Sequence, residues 1–428
     1  MRDCVLLFVA SLVNLMGRGS GYVLGAVYLY MLQGIQYLLP FLVMPIMTAA
    51  LGANKFGVLM YWASVLAGLS VLVDFGFGYV GGREAAKKDF RFSSISELYS
   101  SILVARFLVL LFSFVLLFLI FLFSPEPMRM PYAPLLVVLG LIGAAISPLW
   151  LLLASKMTGC IAISGFAGQL LLLGIAYFCV RDENDLWLAL LAQCASLFVN
   201  SFFASIFVFL YIRPALKVVK LKEALCMLKS SFSMFLSTSS AAVYSVMNPF
   251  VIGVFGSPES VATFALAERI VKAFLGLISP VLSVLYPYSI RQARNGEYWA
   301  KGVTFAVVLF ASLLIAVLNC GAESLILYFG GDGFEGVLVV VRILSFSIFF
   351  VVLGNIAGIH WLVARGYDRS VFFVTGFAAF LYFMLFPAQV LKSGVVGGAW
   401  VLLLIETCVC VGFLLMVLRV EKKKVKET

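Results

Sequence analysis

A chain of 428 residues that is 63% hydrophobic and only 12% charged is not built for water, where about a quarter of residues are charged and under half are apolar. Its mean hydropathy of +1.11 and its repeated apolar runs point to a bilayer, whose core takes about 20 apolar residues per helical crossing. The formal charge of +10 does not indicate nucleic acid, because the basic residues sit in short connectors between apolar runs and not on a basic domain with interleaved aromatics.

The chain opens on MRDCVLLFVASLVNLMGRGSG (1–21), whose apolar core of about a dozen residues is too short to span. It resembles a signal peptide, yet cleavage there would put the next residues outside and oppose the charge bias described below. It is read instead as an interfacial helix or as an over-extended start with initiation at Met16. The apolar runs that follow predict an all-α fold of about twelve spans. Their approximate bounds are 22–50, 57–81, 98–123, 135–154, 161–180, 186–212, 232–255, 260–288, 303–320, 337–362, 371–389 and 395–418.

The connectors fix an orientation. With both termini inside, 22 of the 30 Lys and Arg residues lie on the cytoplasmic side. Four lie outside (Lys55, Arg129, Arg181, Lys392) and four fall within spans. This is the positive-inside pattern. Spans 1–6 and 7–12 then run in the same directions, and LGANKFGVLMYWASV (51–65) aligns without gaps on FGSPESVATFALAER (255–269). Two parallel six-helix lobes, 22–212 and 232–419, are expected around a central cavity. A basic connector (213–231) joins them, and a basic tail (420–428) follows.

Within spans, a charge costs at least ~2.5–3.5 kcal/mol and normally faces protein or a watery cavity. Asp74 and Arg106 come to similar depth on the antiparallel second and third spans, so a structural ion pair is the first reading and a lining role the second. Glu268 and Lys272 are spaced i, i+4 in the favoured Glu-first order and neutralise each other. Arg269, about 16 Å along the eighth span from Pro258, is left without a local partner. Arg342 and Glu406 have no evident local partner either, while Glu323 lies near the outer mouth. A carboxylate about 12 Å into the last span suits proton coupling, or else a hydrogen bond across helices. Pro40, Pro45, Pro249, Pro280 and Pro287 interrupt spans, each kinking a helix and freeing a carbonyl.

Eight single cysteines without a CxxC and one histidine, His360, build no metal site. His360, near a helix end, is read as structural. The chain lacks HExxH, GxSxG and phosphate-cradling glycine motifs, and its outer loops are short, so neither enzyme chemistry nor a cofactor is expected.

The stretch MLQGIQYLLPFLVMPIMTAALGANKFGVLMYWASVLAGLSVLVDFGFGYVGGREAAK (31–87) resembles the start of the polysaccharide biosynthesis, Wzx-type flippases of the multidrug/oligosaccharidyl-lipid/polysaccharide exporter superfamily. NPFVIGVFGSPESVATFALAERIVKAFLGLISPVLSVLYP (248–287), ESLILYFGGDGFEGVLVVVRILSF (323–346) and GVVGGAWVLLLIETCVCVGFLL (394–415) resemble later spans of that family. Ala49 and Ala50 stand where family members often carry a basic residue, so no cation site is assigned there. The resemblance implies a flippase of a bacterial cytoplasmic (inner) membrane. Its cargo would be an undecaprenyl pyrophosphate glycan such as an O-antigen repeat unit, moved from the inner to the outer leaflet by alternating access. Arg269 and Lys272, with Arg106 and Arg342, would then receive the pyrophosphate, Arg being shaped for bidentate phosphate contact. Glu268 would temper Lys272, and Glu406 and Asp74 would couple or pair charge. Expected partners are membrane lipids, H+ or Na+, and glycan polymerase and chain-length proteins. A multidrug or metabolite exporter of the same superfamily would favour an acidic lumen. A membrane glycan polymerase or ligase would need a long outer loop with catalytic Arg or His.

Overall fold

The computed structural model describes residues 21–87, 92–294, 301–330, 334 and 336–427. The N-terminal segment expected over 1–21 lies outside the described residues except for Gly21, as do residues 88–91, 295–300, 331–333 and 335 between expected spans and residue 428 of the tail.

All elements among the described residues are helical. In chain order they are α1 (Gly21–Asp74), α2 (Phe77–Lys87), α3 (Phe92–Phe123), α4 (Ala133–Ile146), α5 (Leu149–Ala154), α6 (Thr158–Phe178) and α7 (Leu186–Tyr211). There follow α8 (Leu221–Val246), α9 (Asn248–Phe255), α10 (Pro258–Arg294), α11 (Lys301–Gly330), α12 (Val337–Ser345), α13 (Ser347–Asn355) and α14 (Asp368–Glu427). Three short 3-10 turns and one π-helical turn, Ile356–Leu362, complete the set.

Eight of these stretches are long and apolar enough to cross a membrane, or nine if the bent pair α8–α9 counts as one. Two are too long for a single crossing: Phe41–Ala85 has 45 residues and Arg369–Lys422 has 54. At 1.5 Å per residue they measure roughly 67 and 81 Å, against a core of about 30 Å. Each is broken where the sequence separates two spans. In α1 the break is Gly52, with φ 64° and ψ 173°, a backbone conformation that a side chain resists and glycine accepts. In α14 it is Ser393–Gly394, with Gly394 at φ 59°. A further break at Phe75–Gly76, with φ of 46° and 73°, separates α1 from α2.

The packing is that of a protein solvated by lipid. On α3, Phe107, Leu111, Val115, Phe118 and Leu122 are exposed at spacings of three and four, a continuous apolar stripe along one face. In water that stripe would be a liability; in hydrocarbon it is the outer surface. The densest packing lies where α1 meets α10. Every residue from Val261 to Glu268 is buried, against Phe56, Tyr61 and Trp62 of α1. The Trp62 indole donates to the Met128 carbonyl at 2.9 Å and Tyr61 bonds the Ser124 hydroxyl at 3.0 Å, so both buried aromatic heads are satisfied. Close approach needs Gly57, because a Cβ there would fall 1.8 Å from the Pro258 carbonyl oxygen. Beside it Asn54 donates to Glu259 at 2.6 Å. The Glu259 backbone N–H holds that carboxyl below the usual carboxylate range; burial pushes the other way, and Asn54 and Ser257 add smaller downward contributions.

Candidate functional site: a cation held at a helix break

The break between α8 and α9 organises the polar interior. Pro249 has no N–H to give the Ser245 carbonyl four residues back, and its ring disfavours continued helix. The axis bends by 57°. Two carbonyls lose their helical donors, and both are taken up from other helices. Ser64 of α1 donates to the Val246 carbonyl at 2.7 Å and accepts from the Phe250 N–H at 3.3 Å. The Lys272 ammonium of α10 donates to the Ser245 carbonyl at 2.7 Å.

Lys272 is held from its other side by Glu268, Nζ to Oε1 at 3.2 Å. Glu268 is nearly buried and is itself fixed. The buried Asn248 amide donates to its Oε1 at 2.7 Å and to the Tyr244 carbonyl at 3.1 Å. The hydroxyl of the buried Tyr382 donates to the Asn248 oxygen at 2.8 Å. A chain of hydrogen bonds from α14 through α9 to α10 thus sets the carboxylate that holds the ammonium. Such a fully connected buried network is rigid. Its outer end is open, the Lys272 side chain being 47% exposed.

Arg269, one turn earlier on α10, is partly buried. Among the described residues it makes no hydrogen bond or ion pair; Glu268 interacts with it electrostatically. Glu406 of α14 is within electrostatic reach of Lys272 and Tyr244, and also makes no hydrogen bond among the described residues. Four ionisable groups, Glu268, Arg269, Lys272 and Glu406, therefore gather in the C-terminal half. Beside them a cavity of about 590 Å³ lies between α10 and the α13–π-turn segment, with Lys272 at one end and Asn355 and His360 in its far wall.

A model of the family described as "Polysaccharide biosynthesis protein" matches residues 23–292, well over half of the chain. The chain belongs to that family. A protein of Escherichia coli (strain K12) named "Putative O-antigen transporter" is 25% identical over 409 residues, 92% of this chain and 96% of its own length. One of the same name from Shigella dysenteriae is 23% identical over 279 residues, 65% of this chain and 70% of its own. Among solved structures, the lipid II flippase MurJ in an inward closed conformation superposes with a TM-score of 0.72 at 12% identity, covering 92% of this chain and 87% of that one. An inward-facing multidrug resistance MATE family transporter of the MOP superfamily gives 0.62 at 16%, covering 94% and 96%. These two likenesses show a shared fold.

In this family member the other sequence-derived candidates lie apart from the cluster. Arg106 is buried, and its guanidinium donates to Asp74 at 2.5 Å and to the Ser147 carbonyl. Arg342, which has no evident local partner in the sequence, pairs with Glu323 nineteen residues away at 3.2 Å, and both side chains are more than half exposed. Two contributors to the network around Glu268 escaped the sequence reading. Asn248 and Tyr382 are joined across 134 residues, which no local period reports, although an Asn before Pro in an apolar run is itself an unusual polar placement. His360, read as structural, is buried and hydrogen-bonded to Ser289 at 2.9 Å. A π-turn, common at functional sites, carries it to the cavity wall.

Proposed function

We propose that this protein is a flippase that moves an undecaprenyl-pyrophosphate-linked oligosaccharide, an O-antigen or similar repeat unit, from the inner to the outer leaflet of a bacterial inner membrane. The proposal includes twelve crossings in two lobes, 22–212 and 232–419, with both termini inside, and alternating access driven by H+ or Na+. One observation carries it: a half-exposed ammonium at the end of a cavity, with an unpaired guanidinium one turn away on the same helix. A pyrophosphate entering hydrocarbon needs cations that protein geometry already holds, and Arg offers it a planar fork. Glu268 keeps the site from being a full +2 trap, which favours release. The relatives named as O-antigen transporters support the cargo, and the fold shared with a lipid II flippase supports a lipid-linked one.

The test is complementation of a flippase-null strain, scored by surface polysaccharide with membrane abundance measured in parallel. Arg269→Ala is expected to abolish transport at normal abundance, because removing an unpaired, partly buried cation relieves a burial cost. Arg269→Lys should restore part of it, keeping the charge but losing the fork. Full activity of Arg269→Ala would remove Arg269 from the substrate site.

A further inference from the structure

The cavity beyond Lys272 is larger than a phosphate needs. Its wall on α10 runs from Lys272 to Leu282, about 15 Å along the helix. Its volume of about 590 Å³ is that of a pocket for a whole organic ligand, which typically occupies roughly 300–1,000 Å³. Its lining is graded. The α10 lining residues Lys272, Leu275, Gly276, Ile278, Ser279 and Leu282 span about 160° of the helix, and Arg269 projects about 20° beyond Gly276, at the edge of that face. Past Lys272 the walls are mainly apolar, and polarity returns on the opposite side with Asn355 and His360.

Asn355 closes α13 at the point where the helix widens into the π-turn. It lines the cavity, and among the described residues its side chain makes no hydrogen bond. A carboxamide offers a paired donor and acceptor, the pattern that matches two neighbouring hydroxyls on a sugar ring. It is a poor match for a phosphate, which presents acceptors only. Apolar walls with a few convergent polar groups are also what a sugar requires, since its ring faces are apolar and its rim is polar.

We propose that this cavity is the glycan subsite of the flippase. Lys272 and Arg269 take the pyrophosphate at one end. Asn355, with His360 beside it, reads the hydroxyls of the saccharide that extends along α10. The proposal rests on the lipid-linked reading above and adds the half of the site that discriminates among saccharides. His360 stays held by Ser289 and acts as wall, while Asn355 is the adjustable reader.

The experiment compares two lipids on the full-length protein in nanodiscs by titration. One is undecaprenyl pyrophosphate without sugar. The other is the saccharide lipid extracted from cells in which this gene is deleted. Wild-type protein is expected to bind the saccharide lipid about 10-fold more tightly. Asn355→Leu should weaken the saccharide lipid by about 3- to 10-fold, the worth of one neutral hydrogen bond, and leave the bare lipid unchanged. Lys272→Ala should weaken both. Unchanged saccharide affinity in Asn355→Leu overturns the subsite. So does equal wild-type affinity for the two lipids, a comparison that decides even if the variant does not fold. A wild-type protein that binds neither lipid overturns the lipid-linked reading itself, and the subsite falls with it.

Discussion

The two halves of the molecule solve one problem twice with opposite results. In the N-terminal half, Pro148 ends α4, and the Ser147 carbonyl beside it is taken by Arg106, which also pairs with Asp74. In the C-terminal half, Pro249 breaks α8 from α9, and the orphaned Ser245 carbonyl is taken by Lys272, which also pairs with Glu268. Each site has a proline, an orphan carbonyl, a carboxylate and one cation. Their exposures are reversed. Arg106 is 5% exposed beside an Asp74 that is 43% exposed, whereas Lys272 is 47% exposed beside a Glu268 that is 10% exposed. Where the cation is sealed in, with the Phe77 ring 5.9 Å from its guanidinium carbon, its contacts join helices. Where the carboxylate is sealed in and the cation lines a cavity, the same chemistry leaves a charge accessible.

The largest effect should therefore come from the sealed site. Arg106→Met leaves Asp74 and the Ser147 carbonyl without their partner; because Asp74 is 43% exposed, the loss falls short of the about 3–5 kcal/mol of a fully buried pair, yet it remains a large share of a typical stability of about 5–15 kcal/mol. Membrane abundance should collapse. Because the pair is structural, Arg106→Met with Asp74→Asn should recover both abundance and transport. The Asn can still accept from the Gly78 N–H that Asp74 now serves. Recovery of protein without transport would move Arg106 into the substrate path and erase the contrast between the halves.

The open site should answer differently. Lys272→Ala leaves the Ser245 carbonyl without its donor and Glu268 without its ammonium, but Asn248 still donates to that carboxylate and Arg269 stays within its electrostatic reach, so abundance should fall by less than with Arg106→Met. Adding Glu268→Gln removes the stranded charge and keeps an oxygen for the Asn248 amide. The double variant is expected to return to normal abundance and to remain inactive in surface-polysaccharide complementation. Transport by the double variant would make Lys272 a second structural cation.

Much of this was legible because it is local or follows the chain's periodicity. The Glu268–Lys272 pair is an i, i+4 spacing, the Pro249 kink follows from a missing N–H, and Asp74 and Arg106 share a depth set by a short connector. The all-helical membrane fold follows from apolar runs that no soluble core would use. The illegible parts are those made between distant helices. Arg342 found Glu323 across a loop that hid their shared level. Tyr382 reaches Asn248 through packing of α14 on α9, which no sequence period encodes. The tenth span, expected over 337–362, is one apolar stretch from Val337 to Arg365, but its last turns widen into the π-turn Ile356–Leu362, which no sequence period encodes. The cavity wall that carries Asn355 and His360 was invisible for that reason.

The smallest expected effect tests whether the open site is also the driven one. Glu406 makes no hydrogen bond among the described residues, yet it lies within electrostatic reach of Lys272. It can therefore alter the field at the ammonium without holding the fold. If Glu406 carries the coupling proton, protonation would leave Lys272 with Glu268 as its one carboxylate and strengthen the site's pull on an anion. Deprotonation would weaken that pull, so binding and release would follow the proton. Glu406→Gln fixes the neutral form in nearly the same volume. Abundance and saccharide-lipid binding should persist, and transport should continue at the basal rate. Its stimulation by a pH gradient in reconstituted vesicles should disappear. No equivalent coupling is expected at Arg106, where Asp74 is already committed to the guanidinium and to the Gly78 N–H. An unchanged response to the gradient in Glu406→Gln would return this carboxylate to a packing role and leave the coupling ion to be sought elsewhere in the C-terminal half.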